Sequence, residues 1–445
     1  MTTTVPPEAR ITGPSPRRLG SPWPLTARQG VGGDLVVGGV SLVELAGRYG
    51  TPTYVVDEVD VRTRCRTFRG AFPDVEVAYA GKAFLSRAMA TWMAEEGMSL
   101  DLCSAGEVGV AESVGFPAER TILHGNAKTV ADLEVALSYG VGRIVLDSAS
   151  EVARVSVLAQ RPQRVLIRVI PGVDAHTHPA IATGSEDQKF GLRPGGVREA
   201  VRRVLEQPQL VYAGLHCHIG SQVGDPSDFL LAARRVLELA RALRDELGVE
   251  TTDLDLGGGY PVPYVVGDIA FDVAPFADQL RRTVQDTCAR LRLPVPRLTI
   301  EPGRAIAARA GVTLYRVVSV KRSAGGRTFV AVDGGFGDNP RAEMYGARYT
   351  VRSVGRPASS RHEIVTIVGR YCEAGDVLAE DILLPADIHP GDLLAVACTG
   401  AYHHSMASSY NLVPRPPVVA VRDETSRLLV RRETDVDMRC RDVGL

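Results

Sequence analysis

The run Val75–Phe84, VEVAYAGKAF, decides how the rest of the chain is read. Val75, Val77 and Tyr79 alternate with Glu76 and Ala78, the period of a half-buried strand. The pattern breaks at Gly81 and leaves Lys82 at the C-terminal end of the strand. The chain holds only four lysines, Lys82, Lys128, Lys189 and Lys321, against abundant arginine. Basic surface is therefore made with Arg, and a Lys kept at a strand end invites a chemical reason. A desolvated Lys amine forms a Schiff base and Arg does not. The competing reading is a solvated lysine at a strand exit, and the surrounding chain decides between the two.

Downstream a rhythm sets in. Strand-like apolar runs recur at Ser99–Leu102, Thr121–His124, Arg143–Asp147, Arg164–Ile170, Val211–His216, Asp253–Leu256 and Arg297–Ile300. Helical patterns fall between them, at Leu85–Glu95, Gly106–Val114, Val130–Tyr139, Ser150–Leu158, Val197–Leu205, Asp228–Leu247 and Phe276–Leu291. Strand and helix alternating in this order over about 230 residues predicts a (β/α)₈ TIM barrel rather than a doubly wound open sheet. Polar and Gly-rich punctuation tends to fall at the strand C-termini, where barrel active sites are assembled. After Gly303 the pattern changes to strands without long helices: Val312–Val320, Thr328–Val332, Tyr349–Val354, Glu363–Val368, Leu393–Ala397, Val418–Arg422 and Leu428–Arg432. This predicts a C-terminal all-β domain. Strands at Leu35–Val40 and Thr51–Glu58, flanking a helix at Ser41–Tyr49, have no place in the barrel and are expected to pair into the β domain. The domain reading is a loose Pro/Gly/Arg-rich leader over 1–33, an N-terminal segment over 34–58, a barrel over 59–310 and a β domain over 311–445.

With 445 residues, 45% hydrophobic and 23% charged, the chain reads as a soluble globular protein of two domains. A formal net charge of −1 speaks against a nucleic-acid surface, and no apolar run reaches membrane-spanning length. Arg17-Arg18 precede LGSPWPLT, which is no apolar core for an export signal. Seven scattered cysteines without C-x-x-C point to reduced thiols and the cytoplasm.

The chemistry gathers at the strand ends. GLHCHIGSQ puts His216 and His218 on one side of the strand; a zinc site would need more ligands, for which His176 and His178 lack any fixed spacing, so no metal is expected. His216 reads as a hydrogen-bonded core histidine and His218, before Gly220 and Ser221, as a ligand wall. Asp255-Leu256-Gly257-Gly258-Gly259-Tyr260 leaves backbone N–H groups free for an anion, and Glu301-Pro302-Gly303-Arg304 ends the eighth strand. Loops after strands seven and eight are a frequent phosphate site in barrels. A phosphate corner, a Schiff-base lysine and an acid for a ring nitrogen are the needs of pyridoxal 5′-phosphate. The polar stretch Val173–Leu192 reads as a lid or substrate-binding loop.

AYAGKAF, HCHIGSQ, LDLGGGY, EPGR, VDAHTHPAIATG…KFGL, YCEAGD and TGAY…YN together resemble the meso-diaminopimelate decarboxylases of the fold type III pyridoxal-phosphate family, from about Trp23 to the C-terminus. The resemblance implies that Lys82 carries the cofactor, that His218 stacks on its ring, and that Glu301 faces the ring nitrogen. It implies Ser221, Gly257, Gly258, Gly259 and Arg304 at the phosphate, with Arg304 also near substrate. Arg341 and Tyr345 match substrate-binding residues, Cys372 and Glu373 a catalytic cysteine and a substrate-binding acid, and Tyr402 a tyrosine at cofactor and substrate. It further implies decarboxylation of meso-diaminopimelate to L-lysine by a homodimer with shared active sites. Ala374, Glu343-Met344 and His403-His404 depart from the family's usual residues. Same-fold decarboxylases of ornithine, arginine, carboxynorspermidine or a secondary-metabolite precursor are the nearest alternatives; a distal-carboxylate reader at Arg341 argues against substrates with only an amine or guanidine at the far end. An alanine racemase and a non-catalytic cofactor carrier are more distant ones.

Overall fold

Eight parallel strands close into a barrel in the computed structural model, which describes residues 18–173, 189–357 and 361–444. The strands are Glu76–Ala80, Ser99–Leu102, Thr121–Leu123, Arg143–Leu146, Gln163–Arg168, Leu210–His216, Asp253–Asp255 and Arg297–Ile300. The last pairs with the first at Thr299↔Glu76 and Ile300↔Val77, which closes the cylinder. Helices follow the strands, and hydroxyls start several of them: Ser86, Ser104 and Thr129 accept the N–H of Met89, Glu107 and Asp132.

Period two along the strands builds the interior in layers. Ala78, Ile122, Val145, Leu166 and Ala213 form one small, fully buried cluster. Below it an ionic layer closes the N-terminal end. Glu76 pairs with Arg143 and accepts from Ser99 at 2.8 Å, and Asp253 accepts from Arg297 at 2.7 Å. The layer above belongs to the site. Outward-facing residues such as Val77, Tyr79 and Leu100 pack into the larger core beneath the helices.

The β domain is organised on the long strand Gly311–Arg322. Its first half is held on one edge by Thr53–Asp57 and on the other by Leu393–Ala397; its second half pairs with Thr328–Val332. The predicted entry of the N-terminal segment into this sheet holds for Thr53–Asp57, which lies between Gly311–Arg322 and Val418–Arg422. It does not hold for Leu35–Val37, which pairs with Arg28–Gln29 and Val40–Ser41 in a separate three-stranded sheet. That small sheet packs on the large one through Leu35, Val37, Val55, Val312 and Leu314. A strand absent from the sequence reading, Val377–Pro385, pairs with His362–Val368.

From residue 18 onward, where it is described, the leader differs from the loose segment expected. Among the described residues, Trp23 is 3% exposed and Ala27 is fully buried in the same cluster. Arg309 donates to the Trp23 carbonyl, and Leu25 N–H to Asp60 Oδ2 at 2.9 Å. The lid reading of 173–192 falls mainly on 174–188, outside the described residues.

Burial of the Trp23 indole gives a direct expectation. Trp23→Ala should lower the unfolding free energy by about 3–5 kcal/mol, as large core truncations do. Urea denaturation checks this; a change near zero would restore the loose leader.

Candidate active site

Two residues beyond the interior positions Ile122, Val145, Leu166, Asp253 and Thr299, and so on the same face of each strand, come His124, Asp147, Arg168, Asp255 and Glu301. Asp101 and His216 complete this upper layer from the second and sixth strands. The layer is almost wholly ionisable. It floors a cavity of about 380 Å³ whose walls include Lys82, His124, Arg168, His216, His218 and Glu301.

Lys82 follows the first strand on a single turn, Gly81–Ala83. Its Nζ donates to Asp101 Oδ2 at 2.8 Å; Asp101 is sealed off, while 44% of the Lys82 side chain stays open to the cavity. Burial opposes the ammonium charge, yet Asp101, then Cys103, Tyr402 and Glu301, hold the amine well above its ordinary range. Asp101 is also held against burial, pulled down to about 2 by His124 and Lys82. The amine is thus aimed into the cavity by a buried carboxylate.

Glu301 stands at the floor. His124 Nε2 lies 2.6 Å from its Oε1 and His216 Nε2 lies 3.5 Å from its Oε2. Asp255 accepts from Gly257 N–H at 2.9 Å and is pushed up to about 7 by burial and then by the Glu301 charge. His216 is lowered by burial, whereas Asp101 and Glu301 outweigh burial at His124 and raise it. His216 is therefore not the hydrogen-bonded core histidine expected: both its ring nitrogens are buried without a hydrogen-bond partner among the described residues, and its ring meets that of His124 at 4.8 Å. His176 and His178 lie outside the described residues. The donor atoms of His124, His216, Asp255 and Glu301 all lie within 4.8 Å of one another, a grouping that comes from four different strands.

The Gly-rich loop meets the end of the eighth strand closely. A Cβ at Gly258 would fall 2.1 Å from the Glu301 carbonyl oxygen, so only glycine fits there. Gly258 N–H donates to His218 Nδ1 at 3.1 Å, which fixes that ring; burial, then the Lys82 and Arg168 charges, lower its pKa. Gly257 and Gly259 flank it at positive φ. Arg304 donates from Nη2 to Ser221 Oγ at 2.9 Å. Its guanidinium stacks over the Tyr402 ring at 4.6 Å, and Tyr402 N–H donates to the Ala83 carbonyl beside Lys82. Arg341 reaches the same place from the β domain, over the rings of Tyr402 and Tyr345. Lys82, His218, Ser221, Gly257–Gly259, Glu301, Arg304, Arg341, Tyr345 and Tyr402 are thus brought into one region.

Cys372 and Glu373 are not. Both are exposed on a β-domain loop, where Cys372 N–H donates to Asn411 Oδ1 at 2.9 Å. His403 and His404 are packing residues: His403 is buried against Tyr349 and pushed down to about 3 by burial, and His404 meets Tyr54 and Phe84 edge-on. Site residues unread in the sequence include Asp101 and His124, then Arg168 in the cavity wall and Tyr264, whose phenol oxygen accepts from Arg304 and Arg341. The first two stand at the ends of strands two and three, where the strand-end rule applied to Lys82 would have found them.

Residues 58–308 match the family model of the pyridoxal-dependent decarboxylases, pyridoxal binding domain, and the chain belongs to that family. Diaminopimelate decarboxylase of Actinosynnema pretiosum subsp. auranticum is 57% identical over 423 residues, covering 95% of each chain. The enzyme of that name from Bacillus subtilis is 42% identical, covering 93% of this chain and 96% of its own. The crystal structure of diaminopimelate decarboxylase from M. jannaschii with L-lysine superposes with a TM-score of 0.88 at 31% identity, over 95% of this chain and 98% of its own. Within the pyridoxal-dependent decarboxylases, this chain belongs to the diaminopimelate decarboxylases.

The residues present fit pyridoxal 5′-phosphate. Glu301 is a buried carboxylate on the cavity floor, held from one side by His124, where a carboxylate meant for a protonated ring nitrogen would be. Ser221, Arg304 and the glycine loop supply an anion corner, and Lys82 an amine.

Asp255 makes the floor sensitive to pH. Its folded value of about 7 exceeds an unfolded value of about 3.9. The stability it contributes is present below about pH 4 and is lost as pH rises through about 7. Cofactor-stripped wild type should therefore lose stability relative to Asp255→Asn across that window, read as urea midpoints. A difference that stays flat would mean that Asp255 ionises normally.

Proposed function

We propose that this chain decarboxylates meso-2,6-diaminopimelate to L-lysine and CO₂, the last step of lysine biosynthesis, with pyridoxal 5′-phosphate as cofactor. The carrying observation is the pair of buried guanidiniums, Arg304 and Arg341, beside the lysine-bearing cavity. Neither has an ion-pair partner among the described residues, and Arg341 Nε is buried without a hydrogen-bond partner. Such a pair calls for anions: the cofactor phosphate at the Ser221 corner and a substrate carboxylate at Arg341.

The cofactor, when bound, supplies the electron sink for the carbanion left by CO₂. The protein's own groups do the rest. Glu301 keeps a proton on the ring-nitrogen side, with His124 beside it holding the carboxylate. His218, fixed by Gly258, walls one face of the cavity. Asp101 aims Lys82. Arg341, with Tyr345 and Tyr402 under its plane, takes the distal carboxylate, and Glu373 takes the distal amine. Cys372 delivers a proton to the reacting carbon.

Because Cys372 and Glu373 lie exposed and outside the cavity of their own chain, the reading includes a homodimer in which each site takes them from the partner. A two-fold dimer then holds two equivalent shared sites. The seven cysteines are all free thiols, in accord with a reducing cytoplasm. No described helix is long and apolar enough to cross a membrane.

Purified protein with added cofactor should release CO₂ from meso-diaminopimelate and act poorly on lysine and ornithine. Arg341→Ala should lower kcat/KM for diaminopimelate by roughly tens to hundreds of fold, the cost of a lost charge-assisted contact. Faster turnover of ornithine would instead favour a relative of the lysine/ornithine decarboxylase of Vibrio vulnificus, whose structure superposes at a TM-score of 0.75.

The shared site has its own test. Lys82→Ala and Cys372→Ala, each inactive alone, are mixed and allowed to exchange subunits. One site of each mixed dimer inherits both lesions and the other neither, so roughly a quarter of wild-type activity should return. Background activity, with exchange verified by mass, would place each site within one chain.

A further inference from the structure

We infer that Tyr264, on the loop after the seventh barrel strand, is a positioning residue that sets substrate discrimination by tying the Arg341 guanidinium to that of Arg304. The inference rests on the diaminopimelate reading above and concerns how the distal carboxylate is told from its absence.

Arg304 Nη1 and Arg341 Nη1 both donate to the phenol oxygen of Tyr264, at 2.6 and 2.8 Å. Two like charges from different domains thus converge on one neutral acceptor. That is unfavourable unless something holds them there, and among the described residues no carboxylate pairs with either. The ring of Tyr264 also lies under both guanidiniums, at 5.9 and 5.3 Å, where its π face offsets part of the charge. Among the described residues, Tyr264 OH is the one hydrogen-bond acceptor of the Arg341 guanidinium.

Tyr264 itself is fixed from three sides. Its N–H donates to Asp268 Oδ2 at 2.9 Å, its carbonyl accepts from Thr350 Oγ1 at 3.3 Å, and its buried ring meets Tyr349 edge-on at 5.7 Å. A phenol held this firmly transfers its position to whatever it binds. Arg304 is set at the phosphate corner by Ser221. Through Tyr264, Arg341 is held at a constant offset from that corner. A planar guanidinium reads a carboxylate through two parallel hydrogen bonds only when its plane is fixed. Without the hydroxyl, Arg341 keeps its charge but loses the partner that fixes its plane.

The test compares Tyr264→Phe with wild type on meso-diaminopimelate and on lysine, which lacks the second carboxylate. Cofactor loading is read separately, from visible absorbance and borohydride fixation at Lys82. KM for diaminopimelate should rise roughly 10- to 100-fold with kcat within about threefold, as expected for a lost hydrogen bond to a charged group. The slow reaction of lysine should change little, so the preference for diaminopimelate falls by the same factor. In an Arg341→Ala background, Tyr264→Phe should add almost nothing.

Equal losses on both substrates, an unchanged preference, or a full extra loss in the Arg341→Ala background would overturn the inference. If Tyr264→Phe alone does not fold, recovery of cofactor loading in Arg341→Ala/Tyr264→Phe supports it, because the damage is then the unpaired guanidinium. Failure of that recovery counts against it. Wild type inactive on diaminopimelate would instead sink the functional reading itself.

Discussion

The structure depends on where the barrel closes. Pairing of Arg297–Ile300 with Glu76–Ala80 sets the chain's last barrel strand beside its first, in a register with Thr299 opposite Glu76. Everything that leaves those two strands is then adjacent. Ala80 N–H reaches the Pro302 carbonyl at 3.4 Å, and a Cβ at Gly303 would press on the Ala80 Cβ at 2.9 Å. Lys82 and the Glu301–Arg304 corner meet because of this seam, although more than two hundred residues of chain separate them. A one-residue slip would turn Glu301 and Thr299 out of the barrel and point their neighbours inward.

Above the seam, charge is packed at a density that burial alone would forbid. Lys82, Asp101, His124 and Glu301 form an alternating series, each group facing one of opposite sign. That alternation keeps Asp101 ionised and His124 raised despite burial. Where the alternation runs out, the balance turns: Asp255, next to the Glu301 charge, is pushed up, and His216, the second imidazole, is pushed down. Protonation in this layer is thus set by order along the floor. A cavity with one amine, buried floor carboxylates and an anion corner follows from that order.

How much of this was legible in the sequence depended on whether the signal was local. Barrel strands were legible because they are short, apolar and punctuated at one end; Ser99–Leu102 and Arg297–Ile300 match the expectation residue for residue. Val377–Pro385 was not, because Glu380 and Asp381 break its alternation; Asp381 sits at φ 54° amid register shifts against the neighbouring strand. The strand expected at Leu428–Arg432 starts earlier, at Thr425, because Asp423 and Glu424 both take positive φ in a tight hairpin turn that lacks the usual Asn-Gly signature. Tyr264 was illegible for another reason: its role is defined by two arginines, one from the eighth strand end and one from another domain, and no spacing within the chain records that meeting.

The two domains are interleaved. Thr53–Asp57 precedes the barrel in sequence but lies in the middle of the large β sheet, and Asp57 N–H bonds the Ala310 carbonyl where the barrel ends. The chain therefore enters the barrel from the β sheet and returns to it, which holds Arg341 and Tyr402 beside Arg304. The Tyr371–Asp376 loop shares that rigidity without sharing the position. Asp376 accepts N–H bonds from Phe336 and Tyr371, and Tyr371 stacks on Tyr410 at 6.0 Å. Exposed loops in a folded domain normally have little holding them, because nothing is gained by ordering them. Here the ordering cost is met by buried hydrogen bonds behind the loop, while Cys372 and Glu373 are presented to the outside. The loop is thus fixed from behind and shows a thiol and a carboxylate outward, as the proposed two-subunit site would need.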